Sequence, residues 1–309
     1  MRRQTVHSVY GLVGAILLAT VGTSAASAQR SPNPIHQTQT AQTIAQAVNP
    51  ASAEGQLNIG LDYIRQGQID NAIAAFRQAT RINPNMAAAH YNLGLALRQQ
   101  GQLQPAADAF YNATVADPQF ALAYANLGAA LLEGFNYDQA DDYLEYAIAL
   151  QPDLGLAHYN LGLVRQQQGR WQDAVTAFSQ AAQLSQNAAE PSYHLGMSYL
   201  QLQQLESAAA AFQQAIALNS GYTEAHYSLG TVYLQQGQID AALDAFRRSA
   251  ESDSNYANAY YGAGLAFLQQ GNYAEAQRVF AYARDLFYAQ GNAEWGANAE
   301  QLMMQVQRP

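Results

Sequence analysis

Seven glycines, Gly60, Gly94, Gly128, Gly162, Gly196, Gly230 and Gly264, stand 34 residues apart with no insertion between them. A chain that repeats so strictly does not gather one central core. Each unit must bury its apolar face against its neighbours, so the core is spread along an elongated stack. Counting each unit from Ala53, glycine always holds position 8. Position 20 is always alanine: Ala72, Ala106, Ala140, Ala174, Ala208, Ala242 and Ala276. Position 24 is large and apolar, namely Phe76, Phe110, Leu144, Phe178, Phe212, Phe246 and Phe280. Two helices approach closely only where the side chains between them are small, and the remaining gap must be filled at interior density. Gly and Ala therefore set the contact, and Phe fills beside it.

The second unit, AAAHYNLGLALRQQGQLQPAADAFYNATVADPQF, shows the whole pattern: Leu93-Gly94, Gly101, Ala106, Phe110, Ala113 and Pro118 fall where two short antiparallel helices need them. With this period the chain resembles the tetratricopeptide repeat family from about Ala53 to Gln290. The resemblance implies an all-α, right-handed superhelical solenoid of seven helix-turn-helix repeats starting at residues 53, 87, 121, 155, 189, 223 and 257. Helix A takes roughly the first 14 residues of each unit and helix B runs to about position 28. Gly67, Gly101, Gly169, Gly237 and Gly271 occupy position 15, where a left-handed backbone ends helix A. Phe135 and Gln203 take that place in units three and five, so those turns are expected to be tighter or shifted. Pro84, Pro118 and Pro152 restrict the connections after units one to three, and their absence later leaves the second half freer to pivot. Residues 291–309 supply a capping helix and tail: Asn292 caps it, and Trp295, Ala299, Leu302, Met303 and Val306 form one apolar stripe.

The N-terminus carries the parts of a secretory signal: Arg2 and Arg3, an apolar stretch from Val9 to Val21, and the small-residue site Ala26-Ser27-Ala28. The apolar run is shorter than the roughly 20 residues of a spanning helix. Residues 1–28 are therefore expected to be cleaved before Gln29, leaving a secreted or periplasmic protein. An uncleaved leader would instead make it a membrane-tethered assembly factor for an envelope or photosynthetic complex. Residues 29–52, rich in Gln, Thr and Ala, read as a flexible linker with a short helix over 40–48 and a solvated His36. Every basic residue is arginine. Cleavage removes Arg2 and Arg3 and no acid, taking the formal charge from −9 to −11. Such a surface repels phosphate backbones, which argues against nucleic acid. With no cysteine there is neither a disulfide framework nor a thiolate metal site.

Spacing separates two stripes on helix A. Positions 4, 7, 8 and 11 face helix B and neighbouring units, and positions 2, 5, 9 and 12 lie beside them. In the family the second stripe lines a concave groove for ligand peptides, so the resemblance implies that role here. Position 5 carries Tyr91, Tyr159, Tyr193, Tyr227 and Tyr261, and position 6 carries Asn58, Asn92, Asn126 and Asn160. Tyrosine offers broad contact area with a polar tip, and an amide can pair with both groups of a peptide backbone. The same residues also fit the family's generic scaffold, where they pack. The family's Lys and Arg clamp for a C-terminal carboxylate cannot be assembled without lysine, and Arg65 and Arg98 read as solvated.

No catalytic constellation emerges: there is no phosphate loop, no nucleophile elbow and no paired carboxylates on a rigid pocket. No cofactor is expected. His90, His158 and His226 recur at position 4 two units apart, too distant to share an ion, and read as packing residues. Asp138, Asp141, Asp142 and Glu145 read as a solvated face, with a second docking patch or a divalent-ion site as the sharper alternatives. The partner implied is a protein or a peptide. A homo-oligomer, in which one copy's groove receives another's Gln-rich tail, is a further arrangement the sequence allows.

Overall fold

The computed structural model describes residues 49–306. The leader, most of the linker with His36 and the helix expected over 40–48, and residues 307–309 lie outside the described residues. Fifteen α-helices and no strand occur among the described residues. They pair as α1 (Ala53–Arg65) with α2 (Ile69–Ile82), α3 (Ala87–Gln99) with α4 (Leu103–Ala116), and α5 (Ala121–Glu133) with α6 (Tyr137–Leu150). Next come α7 (Gly155–Gln167) with α8 (Trp171–Leu184), α9 (Glu190–Gln201) with α10 (Leu205–Leu218), and α11 (Thr223–Gln235) with α12 (Ile239–Ser252). The stack ends with α13 (Ala257–Gln270), α14 (Tyr273–Ala289) and α15 (Ala293–Val306). Each helix packs on the helices before and after it in sequence, and A helices also touch across units, as α5 does with α7 and α11 with α13. In a curved stack the inner elements crowd, so the A helices form the inner wall and the B helices the outer one.

The glycine at position 8 is where helix A meets the ring at position 24. A Cβ on Gly94 would stand 2.6 Å from the Phe110 ring, and one on Gly162 2.6 Å from Phe178. Contacts that close are absent from real structures, so the glycine is what lets the ring lie against the backbone. The six position-24 phenylalanines and Leu144 are fully buried, as are all seven position-20 alanines. In unit six the small residue at position 27 is Ser249, whose hydroxyl donates to Thr223 O at 2.9 Å and is thereby satisfied inside the core.

The connections follow from backbone hydrogen bonding. Helix A ends in a Schellman turn in all seven units: the N–H of position 16 reaches back five residues, as in Gln68 to Tyr63 O at 2.8 Å and Gln204 to Tyr199 O at 2.9 Å. The turns at Phe135 and Gln203 are neither tighter nor shifted. Both residues adopt the left-handed conformation of the glycines, at φ 61° and 58°. Between units, Asn83, Asp117, Asn219 and Asp253 each accept at Oδ1 the N–H two residues on, so the same turn forms with proline or without it. Position 4 then fastens that loop. The Nε2–H of His90, His158 and His226 donates to Pro84 O, Pro152 O and Ser220 O at 2.8–3.0 Å, and Tyr260 does the same to Ser254 O at 3.2 Å. A carbonyl only accepts, which fixes the histidine tautomer. These histidines are loop fasteners as much as packing residues.

At the end of the array α14 runs on to Ala289, Gly291 stops it at φ 74°, and Asn292 Oδ1 faces the Trp295 N–H at 3.5 Å. Trp295 meets Tyr261 and Phe287 at ring distances of 5.4 and 6.0 Å, closing the last unit.

Phe135 is 67% exposed, so its ring recovers little for a backbone conformation that costs a side-chain-bearing residue about 1–2 kcal/mol. Replacing it by glycine removes that strain at a smaller cost in unfolded-chain entropy, so Phe135→Gly should raise stability by about 0.5–1 kcal/mol, read as a higher denaturant midpoint. A lower midpoint would show that the ring has a stabilising contact beyond Tyr137.

Candidate functional site

Each tyrosine at position 5 has its inner edge against its own unit's position-24 ring. The centroid distances are 5.8 Å for Tyr91–Phe110, 5.9 Å for Tyr159–Phe178, 5.8 Å for Tyr193–Phe212 and Tyr227–Phe246, and 5.6 Å for Tyr261–Phe280. On the other side stands position 34 of the same unit: Phe120 lies 4.9 Å from Tyr91, Tyr222 5.0 Å from Tyr193, and Tyr256 5.7 Å from Tyr227. Tyr91 and Tyr159 are buried, whereas Tyr193, Tyr227 and Tyr261 keep part of their surface. Burial pushes the Tyr91 and Tyr193 hydroxyls up to about 12 and raises those of Tyr159, Tyr222 and Tyr256 further. All of them stay protonated and able to donate across the working pH range.

The asparagines divide differently. Asn58 is exposed on α1, while Asn92, Asn126 and Asn160 are buried. Asn92 Nδ2 donates to Ala88 O at 2.8 Å. Asn126 Nδ2 donates to Leu122 O at 2.9 Å and to the Tyr91 hydroxyl at 3.2 Å, and its Oδ1 accepts from Arg98 at 3.5 Å. Position 6 thus meets position 5 of the preceding unit. For Asn160 that neighbour is Ala125, which has no hydroxyl, and Asn160 Nδ2 is left without a partner. Of the buried asparagines, Asn126 ties two A helices together, while Asn92 bonds within its own helix.

The charged groups singled out in the sequence are also engaged. Arg98 is not solvated: it binds Glu133 of the next A helix through Nε at 3.0 Å and through Nη2. Asp141 and Glu145 are not a free acidic face, because Arg165 of the following unit reaches both and Arg170 joins at Asp141. Asp138 accepts from Gln168 at 3.2 Å. Among the described residues no group of three or more His, Asp or Glu is placed to hold a metal ion.

A family model described as Cilia and flagella-associated protein 70 C-terminal domain matches residues 17–250, and one described as TPR repeat matches residues 230–271. The chain belongs to the tetratricopeptide repeat family. Among solved tetratricopeptide repeat structures it is similar to YrrB, described as a TPR protein with an unusual peptide-binding site, at 26% identity and a TM-score of 0.55, over 63% of this chain and 99% of that one. It is similar to MamA at 26% identity and a TM-score of 0.52, over 56% of this chain and 95% of that one. A tetratricopeptide repeat protein from Parabacteroides merdae shares the fold at 19% identity and a TM-score of 0.58, over 82% and 98% of the two chains. No curated protein sequence matches.

Two features of this tetratricopeptide repeat wall were missed in the sequence. Position 34 is large and apolar or aromatic in five of the six inter-repeat connections, Met86, Phe120, Leu154, Tyr222 and Tyr256, a signal that the 34-residue register already contained. His194, at position 6 of unit five, stacks on Phe178 at 5.4 Å and meets Tyr193 and Tyr159 edge-on at 5.3 and 5.8 Å. Gln166 Nε2 is drawn to His194 O and to Ser198 Oγ, which leaves Gln166 Oε1 to accept from His194 Nδ1–H at 3.1 Å.

Burial lowers the His194 pKa to about 4, with no carboxylate opposing the shift. The folded state therefore resists a proton that the unfolded chain accepts near 6.5. The contribution is fully present above pH 6.5 and is lost as pH falls from there towards 4, about 3 kcal/mol in all. In His194→Asn, which restores the position-6 residue of the first four units, the drop in denaturant midpoint between pH 7.5 and pH 4.5 should shrink by a comparable amount. An undiminished drop would assign the acid sensitivity to the carboxylates.

Proposed function

We propose that this chain is a non-catalytic scaffold outside the cytoplasm that binds a protein or peptide segment along the inner wall formed by its A helices. The observation that carries this reading is the row of tyrosines on that wall. Tyr193, Tyr227 and Tyr261 are held between neighbouring rings and keep part of their surface accessible. Rings held rigidly by their own core contacts lose little entropy on binding, which is what an interface anchor requires. Asn58 adds an exposed amide at the first unit, while Tyr91, Tyr159, Asn92, Asn126 and Asn160 form the floor beneath the contact. The likeness to YrrB, whose description includes a peptide-binding site, supports the same use of the fold. Family members are generally non-catalytic scaffolds, and the site chemistry described above offers no nucleophile with a base. The location rests on the leader in residues 1–28. No helix among the described residues is long and apolar enough to cross a membrane.

Because Tyr159 and Asn160 are buried, replacing them would report on packing. A photoreactive residue at Asn58 or Tyr227 samples the inner wall without dismantling it, and one at Tyr111 or Tyr282, both about half exposed, samples the outer wall. In the native extract the inner positions should crosslink to a partner and the outer ones should not, and the recovered protein should begin at Gln29. Crosslinks from the outer positions alone would move the binding face, and an N-terminus at Met1 would replace the cleaved leader by an anchor.

A further inference from the structure

The inner wall changes character halfway along the array. In units two to four, position 2 is Ala88, Leu122 and Leu156, and the wall arginine Arg98 is already bound to Glu133, while Arg165, at position 11, turns to carboxylates of the preceding B helix. In units five and six, position 2 becomes Glu190 and Glu224, and position 34 becomes Tyr222 and Tyr256. Between Arg170 and Arg247 the chain has no Lys or Arg, and the acids Asp173, Glu190, Glu206, Glu224, Asp240 and Asp244 lie in that interval. Asp173 pairs with Arg170 and Asp244 with Arg247 and Arg248. Glu190 and Glu224 form no ion pair and accept no side-chain hydrogen bond among the described residues.

Both glutamates stand in the first turn of an A helix, three residues before Tyr193 and Tyr227 and so on the same face as those rings. Glu190 lies close enough to Tyr159 and Tyr222, and Glu224 to Tyr193, Tyr222 and Tyr256, for their charge to raise those hydroxyls' pKa. The half-buried tyrosines form two pairs on adjacent repeats, Tyr193 with Tyr222 at 5.0 Å and Tyr227 with Tyr256 at 5.7 Å, an aromatic shelf in two steps. A glutamate in the first turn of a helix is stabilised by the backbone dipole, which accounts for its tolerance there. That does not account for the rings. Position 34 packs on the position-5 tyrosine without capping the next helix in another unit too, through Phe120, and follows helix B as Met86 and Leu154 elsewhere; in units five and six alone it becomes a phenol, Tyr222 and Tyr256. An aromatic face with uncompensated negative charge is the environment that attracts a cation, through the ring quadrupole and the carboxylate together.

We propose that this shelf receives the cationic side chains of a basic segment of the partner protein, one Lys or Arg at Glu190 and a second at Glu224. The inference rests on the inner wall being the binding face. The two glutamates stand one repeat apart on A helices that touch, a step of about 10 Å at ordinary helix packing distances. A polyproline-II segment has three residues per turn and rises about 3.1 Å per residue, so residues three apart face the same side about 9 Å from each other, and the basic residues should be three apart.

The test uses the full-length mature chain and fluorescein-labelled Lys/Ala peptides with lysines three apart, against the same peptides with Gln or Glu for Lys, read by anisotropy at low salt. The Lys peptide should bind and both controls should fail. Glu190→Gln with Glu224→Gln should weaken binding by about tenfold, the worth of close charge pairs at an interface. Glu206→Gln with Asp240→Asn removes the same charge from the B helices and should leave binding unchanged. Equal binding of the Gln peptide, or equal loss in the B-helix variant, overturns the proposal, because binding would then follow contact area or net charge. If Tyr227 crosslinks to a partner whose capture ignores the Glu190/Glu224 pair, the inner-wall reading stands and the basic ligand is excluded. If neither inner crosslinks nor Lys-peptide binding occur, both fall.

Discussion

The contact between a glycine backbone at position 8 and the ring at position 24 is what the rest of this molecule depends on. With a Cβ on any of Gly60, Gly94, Gly162, Gly196, Gly230 or Gly264 standing under 3 Å from the facing phenylalanine, helix A and helix B could not close to their present separation. The ring does not stop at its own unit. His194 stacks on Phe178, and a Cβ on Gly262 would stand 2.6 Å from Phe246. One phenylalanine therefore sets both the spacing within a repeat and the floor on which the next repeat sits, so small errors there propagate along the stack. That economy suits an array whose units each contact only their neighbours.

The scaffold and the candidate site are built from the same residues. A tyrosine at position 5 must pack one edge on phenylalanine, and what varies is how much of the other edge the following loop covers. Phe120 helps to bury Tyr91, and Trp295 in the terminal helix lies against Tyr261, while Tyr193 and Tyr227 are flanked by tyrosines that leave the surface polar. Position 6 follows the same logic across the unit boundary. Asn126 finds the Tyr91 hydroxyl, His194 finds the Phe178 and Tyr159 rings, and Asn160 faces an alanine and keeps an unpaired donor. A buried amide of that kind is usually satisfied, so its persistence marks unit four as the place where the regular inter-unit pairing lapses.

Charge is distributed with the same polarity along the stack. In units two to four, arginines on one repeat reach carboxylates on an adjacent one, Arg98 to Glu133 and Arg165 to Asp141 and Glu145. Asp141 is the most enclosed of these acids and takes two guanidinium groups, so it differs from the exposed pairs of α12 whose contribution is small. Beyond Arg170 these inter-repeat ion pairs stop among the described residues, and units five to seven are joined by apolar contact and by neutral donors, such as Gln213 to the Tyr233 hydroxyl and Gln270 to Asp240. The result is a wall whose first half has its charges neutralised internally and whose second half presents them.

The sequence by itself determined the repeat, because period and residue size are local properties: Gly at position 8, Ala at 20 and Phe at 24 leave only one way to stack a helix pair. It also determined the left-handed turn at the five position-15 glycines, whereas Phe135 and Gln203, expected to tighten or shift their turns, take glycine's conformation in the folded stack. What the tertiary structure decided was the fate of each polar group. Whether Asn126 reads a ligand or a neighbouring tyrosine, whether Asp141 meets water or arginine, and whether His90 packs or fastens a loop depend on groups 6 to 35 residues away. Those partners are brought together only when one unit is laid on the next. Side-chain spacing along one helix fixes a direction, but the neighbour waiting in that direction comes from the superhelix.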